Sequence, residues 1–462
     1  MPNFTIFWVL VYLGLLASSF VNPAFGVFGY LFEYYLRPSL HWWGKGHIPD
    51  LGYNMIASVV LGGTYLLRRS SQRDIGPAPR GPGAFLLALT AVMCIVTLTT
   101  AVSTEKSFGR LQDYLKFITF HGLIVGAIRT EWALDGFVAL HMAGAGWWGY
   151  ELWTSPKRRQ QSRLPGVGSG DTLGDNFASA HLLTVFPFLF AYLFKSKNIK
   201  LRLTALFAAP FAINTFILCN SRGGVVGLVA MFACVPLLAR KGQRIRVLIV
   251  GVLAAASILA LADPEFLSRQ QTTSKYEEDG SATERLESWR GGYRLVKEHP
   301  FGTGGEGYVE LSPVYIPDVV AKNREKRAPH NTFVLVASEW GLLGLALFVG
   351  YYLSSFKLLM EVRRRAEGGD IWYYRSVAIQ LAMIGLLVAG LFADRLYAEA
   401  PYWMGALAVV LHRLQTHEIA TRQTEGANKE IANGNVPPRG TGAKTPSPAV
   451  AARASLYTEL PR

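Results

Sequence analysis

A succession of apolar segments runs through this 462-residue chain and constrains its fold more than any other feature. A helix of about 20 apolar residues crosses the hydrocarbon core of a bilayer, and only 17% of the residues are charged. The pattern predicts an all-α polytopic membrane protein of about twelve spans. The predicted spans are Phe4–Phe20, Leu51–Leu67, Ala84–Val102, Leu111–Ile128, Trp132–Trp148, Asn176–Phe194, Leu203–Cys219, Gly224–Ala239, Val247–Ala262, Thr332–Ser354, Ile371–Ala393 and Pro401–Leu411.

One long polar segment, residues 263–331, interrupts this succession. We expect a transmembrane bundle of residues 1–262, then a large loop, then a second group of spans in residues 332–415. Residues 416–462 are predicted to form a disordered tail, because small and polar residues predominate from about Thr421.

Positive charge is concentrated in the short connections between spans. Cytoplasmic loops of membrane proteins carry an excess of Lys and Arg, so these connections are predicted to be cytoplasmic. Both termini then lie in the cytoplasm, and the long polar loop lies on the opposite face of the membrane. The basic clusters are Arg68, Arg69 and Arg73; Lys195, Lys197, Lys200 and Arg202; Arg240, Lys241, Arg244 and Arg246; and Lys357, Arg363, Arg364 and Arg365.

Two segments fit this topology less simply. Ala24–Leu36 is apolar but short, and it carries Glu33, which indicates an interfacial or re-entrant segment. Lys157–Arg159 and Arg163 fall on the outer side, where basic residues are unfavourable. Either the predicted number of spans is wrong at this point, or these cations are retained to attract an anionic group.

Composition argues against two classes of function. The net charge of +14 does not indicate nucleic-acid binding, because the cations form no single stripe. Cys94, Cys219 and Cys234 all lie inside apolar segments, where cysteine behaves as a small apolar side chain. Neither a disulfide framework nor a zinc site is predicted.

Arg222 lies between two predicted spans, in the sequence Ser221-Arg222-Gly223-Gly224. The topology places it on the outer face, and the two glycines leave its guanidinium accessible. A guanidinium donates two parallel hydrogen bonds to a phosphate, so Arg222 is a candidate phosphate ligand. The alternative is an arginine that only extends to the membrane interface.

Arg285, Trp289 and Arg290 lie in the long polar loop. If this part is helical, Arg285 and Trp289 share one face, because they are four residues apart. That face is a candidate for substrate binding. The alternative is a helix packed on the membrane, with Trp289 among the headgroups and Arg285 paired with Glu284 or Glu287.

His330 and Asn331 stand immediately before the predicted span that begins at Thr332. The dipole at a helix N-terminus disfavours added positive charge, so a histidine there tends to stay neutral. A neutral imidazole can accept a proton, as a general base must. The alternative is an interfacial histidine beside Pro329.

Two further segments of the loop are interpreted as structural. Phe301–Gly307 is rich in glycine but lacks the Gly-Lys-Ser/Thr ending of a phosphate-binding loop, so it indicates a tight turn. The acidic run Glu277–Asp279 has no assigned role. The basic run Lys322–Arg327 either binds an anionic acceptor or forms a solvated surface, and we favour the surface.

The order of these motifs resembles the O-antigen ligase family and its relatives. Those relatives are the O-antigen polymerases and the O-glycosylation ligases of exopolysaccharide and exosortase systems. The resemblance covers roughly residues 20–415. The matching segments are Asn22–Gly26, Tyr35–Pro38, Gly174–Ala178, Asn220–Gly224, Gly280–Trp289, His299–Gly304, His330-Asn331 and Glu339–Gly344.

The resemblance implies an all-helical bundle of about twelve spans in a bacterial inner membrane, with its active face in the periplasm. It implies transfer of a glycan from an undecaprenyl-diphosphate carrier to a glycan, lipid or protein acceptor, without a metal or other cofactor. By motif, Arg222 and Arg285 would bind the diphosphate, and His330 would activate the acceptor hydroxyl. The substrate-binding set also contains Trp289, Arg290 and Asn331.

Three alternatives remain open. A repeat-unit polymerase uses the same donor, with another carrier-linked unit as the acceptor. A transporter or flippase would have broken midplane helices, matched half-repeats and charges deep in the bundle, whereas the charges here gather at one face. A non-catalytic scaffold would tolerate the loss of Arg222, Arg285 or His330.

Overall fold

The computed structural model describes residues 2–154, 168, 170–240, 242, 244–245, 249, 266–267, 280–367 and 369–432. Within these residues the chain forms helices joined by turns and no strand, so the predicted all-α class is confirmed. The α-helices are α1 (Asn3–Ser19), α2 (Ala24–Tyr35), α3 (Tyr53–Arg68), α4 (Arg80–Thr99), α5 (Thr104–Ala127), α6 (Glu131–Thr154), α7 (Asp175–Lys195), α8 (Ile199–Cys219), α9 (Arg222–Leu238), α10 (Gly280–Glu298), α11 (Gly307–Tyr315), α12 (Pro317–Asn323), α13 (Thr332–Arg365), α14 (Ile371–Ala389) and α15 (Ala400–Ala432).

Five of the described helices are long and apolar enough to cross a membrane: α4, α7, α8, α13 and α14. Helices α1 and α9 are also apolar but have only 17 residues each. Helices also form at the predicted spans in α3, α5, α6 and α15. The twelve-span count stays a prediction, because the span Val247–Ala262 lies outside the described residues. The charged segments Lys157–Arg163 and Glu277–Asp279 lie outside them as well.

The long helices pack around one continuous apolar core. Helix α7 contacts both α8 and α14, and α6 packs along α8. Helix α13 contacts α4, α14 and α15. The largest fully buried side chains include Trp8, Trp43, Trp340 and Trp403. This bundle is the scaffold on which the candidate site is built.

Helix α2 lies inside the bundle. Eleven of its 12 residues are buried, including Glu33, and it packs against α1, α3 and α6. A helix at a membrane surface would leave one face exposed, so the interfacial alternative for Ala24–Leu36 is wrong. At 1.5 Å per residue the helix is about 18 Å long, which is too short to cross a bilayer and agrees with a re-entrant segment.

The described part of the long polar loop is helical. Helices α10, α11 and α12, here called the loop helices, share a small apolar core of their own. That core contains Leu295, Tyr308, Tyr315, Ile316 and Val319. Helices α10 and α11 also pack against α13, so the loop helices are attached to the bundle beside the start of that helix.

Helix α13 is interrupted at Gly341, whose φ of 73° and ψ of 178° are not helical. The interruption separates a nine-residue segment, Thr332–Trp340, from the longer remainder. We call this segment the outer arm. The backbone of the turn at Phe301–Gly302 occupies the interruption, and a Cβ atom on Gly302 would lie 2.6 Å from the Gly341 nitrogen.

Helix α15 continues beyond the predicted start of the tail and ends at Ala432. Glu418 and Arg422, one turn apart, form an ion pair on its surface, a spacing that stabilises helices. The prediction of a disordered tail is therefore wrong for residues 416–432, because helix-forming side chains extend the last helix. Residues 433–462 lie outside the described residues.

Candidate active site

The turn before α13 holds His330 in an unusual conformation. The φ of His330 is 49°, in the left-handed region that residues other than glycine seldom occupy. The next residue, Asn331, caps the helix: its Oδ1 accepts hydrogen bonds from the nitrogens of Phe333 (2.9 Å) and Val334 (3.2 Å). The cap fixes the start of the outer arm and, with it, the histidine.

Asp394, in the connection between α14 and α15, supports this turn. Its carboxylate accepts hydrogen bonds from the backbone N–H of Asn331 (2.9 Å) and from that of His330. Its Oδ2 also lies 3.6 Å from His330 Nδ1. Burial raises the pKa of Asp394 to about 7, although these backbone hydrogen bonds oppose the rise. Asp394 is therefore placed to orient the imidazole.

His330 lines a cavity of about 160 Å³. The opposite wall is the first turn of α7 and the glycine before it, and the floor comes from the same connection as Asp394. The lining residues are Gly174, Asp175, Asn176, Phe177, His330, Phe392 and Ala393. The cavity thus combines one imidazole with a carboxyl group, an amide group and two aromatic rings.

Arg222, the first residue of α9, lies beside this cavity. Ser221 caps α9 by accepting a hydrogen bond from Gly224 N (3.2 Å), and its hydroxyl donates to Asn176 Oδ1 (2.8 Å). A Cβ atom on Gly223 would lie 2.7 Å from Phe392 Cβ. The glycine therefore lets α9 approach the cavity wall, which places the half-buried Arg222 at its edge.

Arg285 and Trp289 approach His330 from α10. The Trp289 indole donates to the carbonyl oxygen of Pro329 (3.2 Å), and its ring centroid lies 6.2 Å from that of Phe392. Arg285, one turn earlier, contributes to the electrostatic environment of His330. The predicted shared face of Arg285 and Trp289 therefore meets the histidine turn.

The surroundings of His330 disfavour its protonated form. The side chain is still 43% exposed, yet partial burial lowers the pKa of His330 to about 4, and the positive charges of Arg285 and Arg327 contribute. The sequence predicted a neutral imidazole from the helix dipole. The direction agrees, but desolvation and two arginines are the main causes.

Arg290 is not brought to the cavity. Its side chain is 73% exposed and lies 3.7 Å from the carboxylate of Glu287, on the same helix. A step of five residues from Arg285 rotates a side chain well around the helix, so the two arginines do not share one face. The structure thus gathers Arg285, Trp289, His330 and Asn331 around one turn, places the start of α9 with Arg222 beside the cavity, and leaves Arg290 at the surface.

The glycine-rich segment is a packed turn. Its amide groups are engaged by the outer arm: Thr303 N donates to Ser338 O (3.0 Å) and Gly304 N to Glu339 O (2.9 Å). Glu306 N donates to Glu339 Oε1 (2.9 Å). These donors are directed to protein acceptors, which agrees with the tight turn expected from the missing lysine.

The basic run Lys322–Arg327 is ion-paired within the loop helices. Lys322 contacts Glu284 at 2.7 Å, and Lys326 pairs with Glu310. Hydrogen bonds and charge from Lys322 lower the pKa of Glu284, and those from Lys106 and Lys326 lower the pKa of Glu310. The pairing favours the solvated surface over an acceptor site.

Sequence reasoning overlooked the roles of Asp394 and Phe392. Asp394 was noticeable as a carboxylate at a helix end, but nothing local linked it to a histidine 64 residues earlier. Asn176 and Phe177 belonged to a recognised motif without an assigned role. Among the described residues, no three His, Cys, Asp or Glu side chains gather as a metal site would require.

Residues 205–349 match the family model described as O-antigen ligase (Wzy_C). This segment begins in α8 and continues through α9 and the loop helices into α13, so it contains Arg222, Arg285 and His330. A comparison with curated proteins gives no match. The family match confirms the resemblance carried by the motifs: over residues 205–349 this chain is similar to the O-antigen ligase family.

Proposed function

We propose that this protein transfers a glycan from an undecaprenyl-diphosphate carrier to an acceptor hydroxyl, at the periplasmic face of a bacterial inner membrane. The supporting observation is that α9 and α10 pack beside the residues that line a cavity of about 160 Å³, whose wall includes His330. Arg222 lies on α9 and Arg285 on α10, and the family match includes both arginines and His330.

The arginines suit a diphosphate leaving group. In the proposed step, the acceptor oxygen forms a bond to the anomeric carbon while the bond from that carbon to the diphosphate breaks. Negative charge then develops on the diphosphate. Fixed guanidinium groups of Arg222 and Arg285 would stabilise it through charge-assisted hydrogen bonds. A single displacement of this kind inverts the anomeric centre.

His330 is the proposed base that takes the proton of the acceptor hydroxyl. Because its pKa is about 4, it is neutral and able to accept a proton at neutral pH. A bound diphosphate would offset the charge of Arg285 and so raise the pKa of His330. Donor binding would thereby strengthen the base at the moment of transfer.

Asp394 is the proposed partner of the protonated histidine. Its Oδ2 lies 3.6 Å from His330 Nδ1, a distance slightly longer than that of a hydrogen bond. An imidazolium would attract this carboxyl group, and catalytic contacts often shorten only when substrate is bound. Asp394 would thus both set the ring orientation and stabilise the charge that His330 acquires.

The cavity wall opposite His330 suits the acceptor. Asp175 and Asn176 present hydrogen-bonding groups, and Phe177 and Phe392 present aromatic rings. Sugars are commonly bound by this combination, because hydroxyl groups pair with the polar side chains while C–H faces pack on the rings. A polymerase would present the same donor chemistry, so the acceptor decides between ligase and polymerase.

Complementation in a deletion strain tests the proposal. The strain is restored with wild type, Arg222→Ala, Arg285→Ala or His330→Ala, and surface glycan and carrier-linked intermediates are analysed. Arg290→Ala is the matched control, because it removes the same side chain as Arg285→Ala from the exposed face of the same helix. Immunoblots of membranes check that every variant is inserted.

We expect the first three variants to accumulate carrier-linked glycan and the control to behave as wild type. Accumulated long glycan identifies a ligase, whereas accumulated single repeat units identify a polymerase. Normal surface glycan in all three inserted variants would refute the catalytic assignment and would favour the transporter or the scaffold alternative.

A further inference from the structure

Glu339 is a buried carboxyl group that the proposed transfer step does not use. It lies near the end of the outer arm, two residues before the break at Gly341, and is 1% exposed. His330 precedes the opposite end of the same arm. Because Gly341 separates the arm from the rest of α13, the long remainder of that helix does not by itself fix the arm's orientation.

One connection, residues 390–399, contacts both ends of the outer arm. At the first end, Asp394 accepts from Asn331 N, and the Thr332 hydroxyl donates to Ala393 O (2.7 Å). At the other end, the Tyr397 hydroxyl donates to Glu339 Oε2 (2.8 Å). Asp394 and Tyr397 are three residues apart, so a contact at Glu339 constrains the segment that supports His330.

Glu339 also joins this connection to the glycine-rich turn. While Oε2 accepts from Tyr397, Oε1 accepts from Glu306 N (2.9 Å). The Tyr397 hydroxyl in turn accepts from the Trp340 indole (2.9 Å). Arg110 pairs with Glu306 and lies over the Tyr397 ring, 4.8 Å from its centroid. Both carboxylate oxygens of Glu339 are therefore committed to fixed donors.

A carboxylate suits this position better than an amide does. Both groups facing Glu339 are donors, whereas the side chain of glutamine offers only one accepting end. If the amide nitrogen faced Glu306 N, two donors would meet. If it faced Tyr397, the hydroxyl would receive two donors and lose the acceptor for its own proton.

We propose that Glu339 and Tyr397 are positioning residues that hold the outer arm and the Asp394 segment in register, and so fix His330 relative to its partners. The reaction they serve is the glycan transfer proposed above, and their role rests on that function. Because reacting groups must be aligned closely, a small displacement of His330 would lower turnover by about ten- to a hundredfold.

The first test measures turnover in the deletion strain, as the rate at which labelled carrier-linked glycan is consumed. We expect Glu339→Gln and Tyr397→Phe each to slow consumption by about ten- to a hundredfold, and the double variant to be no slower than the slower single variant. Tyr315→Phe is the matched control, because its hydroxyl also donates to a glutamate, Glu298 (2.6 Å), within the loop helices. Its rate should stay near wild type.

The second test uses no glycan. Purified full-length protein in nanodiscs is treated with diethyl pyrocarbonate, and mass spectrometry compares the modification of His330 with that of the exposed His299. We expect the ratio to change several-fold in Glu339→Gln and Tyr397→Phe and to stay unchanged in Tyr315→Phe. A general loss of stability would also increase the modification of the buried His121, whereas displacement of the arm alters His330 alone.

The two tests distinguish a failure of the positioning role from a failure of the proposed transfer reaction. Unchanged turnover together with an unchanged modification ratio in inserted Tyr397→Phe would overturn the positioning role, even if Glu339→Gln failed to insert. A changed ratio, combined with full turnover in His330→Ala, would uphold the positioning of His330 and reject the transfer chemistry assigned to it.

Discussion

Two turns contact the outer arm of α13, and both contain residues with positive φ angles. The turn at Phe301–Gly307 has three left-handed residues, Gly302, Gly304 and Glu306, and its amide groups bond to the arm. The turn at Pro329–Asn331 has one, His330. Where the first turn lies against Gly341 it has glycine, whereas the second has a strained side chain at a cavity.

The difference indicates which turn contributes to function and which contributes to stability. A residue other than glycine in the left-handed region costs about 1 kcal/mol, so a glycine at position 330 would relieve strain. Strained backbone conformations gather at functional sites, where the side chain has a use that outweighs the cost. The glycine-rich turn would then be structural and the histidine turn catalytic, and four substitutions test this contrast.

The largest effect is expected from His330→Gly. Removing a general base lowers turnover by about 10²- to 10⁴-fold, while relief of the left-handed strain raises stability by up to about 1 kcal/mol. Carrier-linked glycan accumulation and thermal unfolding of the purified protein measure the two effects. His299→Gly, at an exposed position without positive φ, should change neither in this way. Normal turnover in His330→Gly would contradict a catalytic role for the histidine turn.

The next largest effect is expected from Gly302→Ala. Its φ is 96°, and the added Cβ would lie 2.6 Å from the Gly341 nitrogen and from the Glu339 carbonyl oxygen. Backbone strain and overpacking together should destabilise the fold by roughly 2–4 kcal/mol. Thermal unfolding measures this loss. Gly46→Ala is the control, because Gly46 has a φ of 77° but nothing within 4 Å, and only the backbone strain should appear there.

A smaller effect is expected in the titration of His330 when Arg285 is changed to Gln. The positive charge of Arg285 helps to lower the pKa of His330 to about 4, so its removal should raise that pKa. A base acts when unprotonated, and the reactivity of His330 is lost as pH falls through its pKa. The pH dependence of its modification by diethyl pyrocarbonate should therefore move to higher pH. A shift to lower pH, or an equal shift in Arg290→Gln, would contradict this geometry.

The smallest effect is expected from Arg290→Gln itself. The side chain is 73% exposed, and among the described residues its ion pair is with Glu287 on the same helix, at 3.7 Å. Exposed substitutions of this kind change stability by no more than about 0.5 kcal/mol, and we expect turnover near wild type. A large loss of transfer in complementation would mean that α10 presents a second face to the substrate.

The sequence predicted the helices well where the signal was local. Apolar periodicity located α7, α8 and α13, because a membrane helix satisfies its own backbone and depends little on distant partners. The same reasoning left α2 open between an interfacial and a re-entrant segment, because its burial comes from other helices, among them α1, α3 and α6. It failed at residues 416–432, where a polar composition concealed a helix that continues from the bundle.

The candidate site was only partly accessible to sequence reasoning. Arg222, Arg285 and His330 were selected as cations and a base on one face, and the fold places His330 in the wall of a cavity with the helices of both arginines beside it. Arg290 was included by adjacency in sequence and points elsewhere. Asp394 could not be linked to His330, because their contact depends on how the connection after α14 lies along the outer arm.

The sequence alone predicted an all-helical membrane protein that resembles the O-antigen ligase family, because hydropathy and short motifs are properties of neighbouring residues. Only the tertiary structure decided that the break at Gly341 frees a short arm, that Glu339 and Tyr397 fasten that arm, and that His330 faces Asp394 across the turn. The contacts of Tyr397 with Glu339 and of Asp394 with His330 join residues more than 50 positions apart, and only packing brings such segments together.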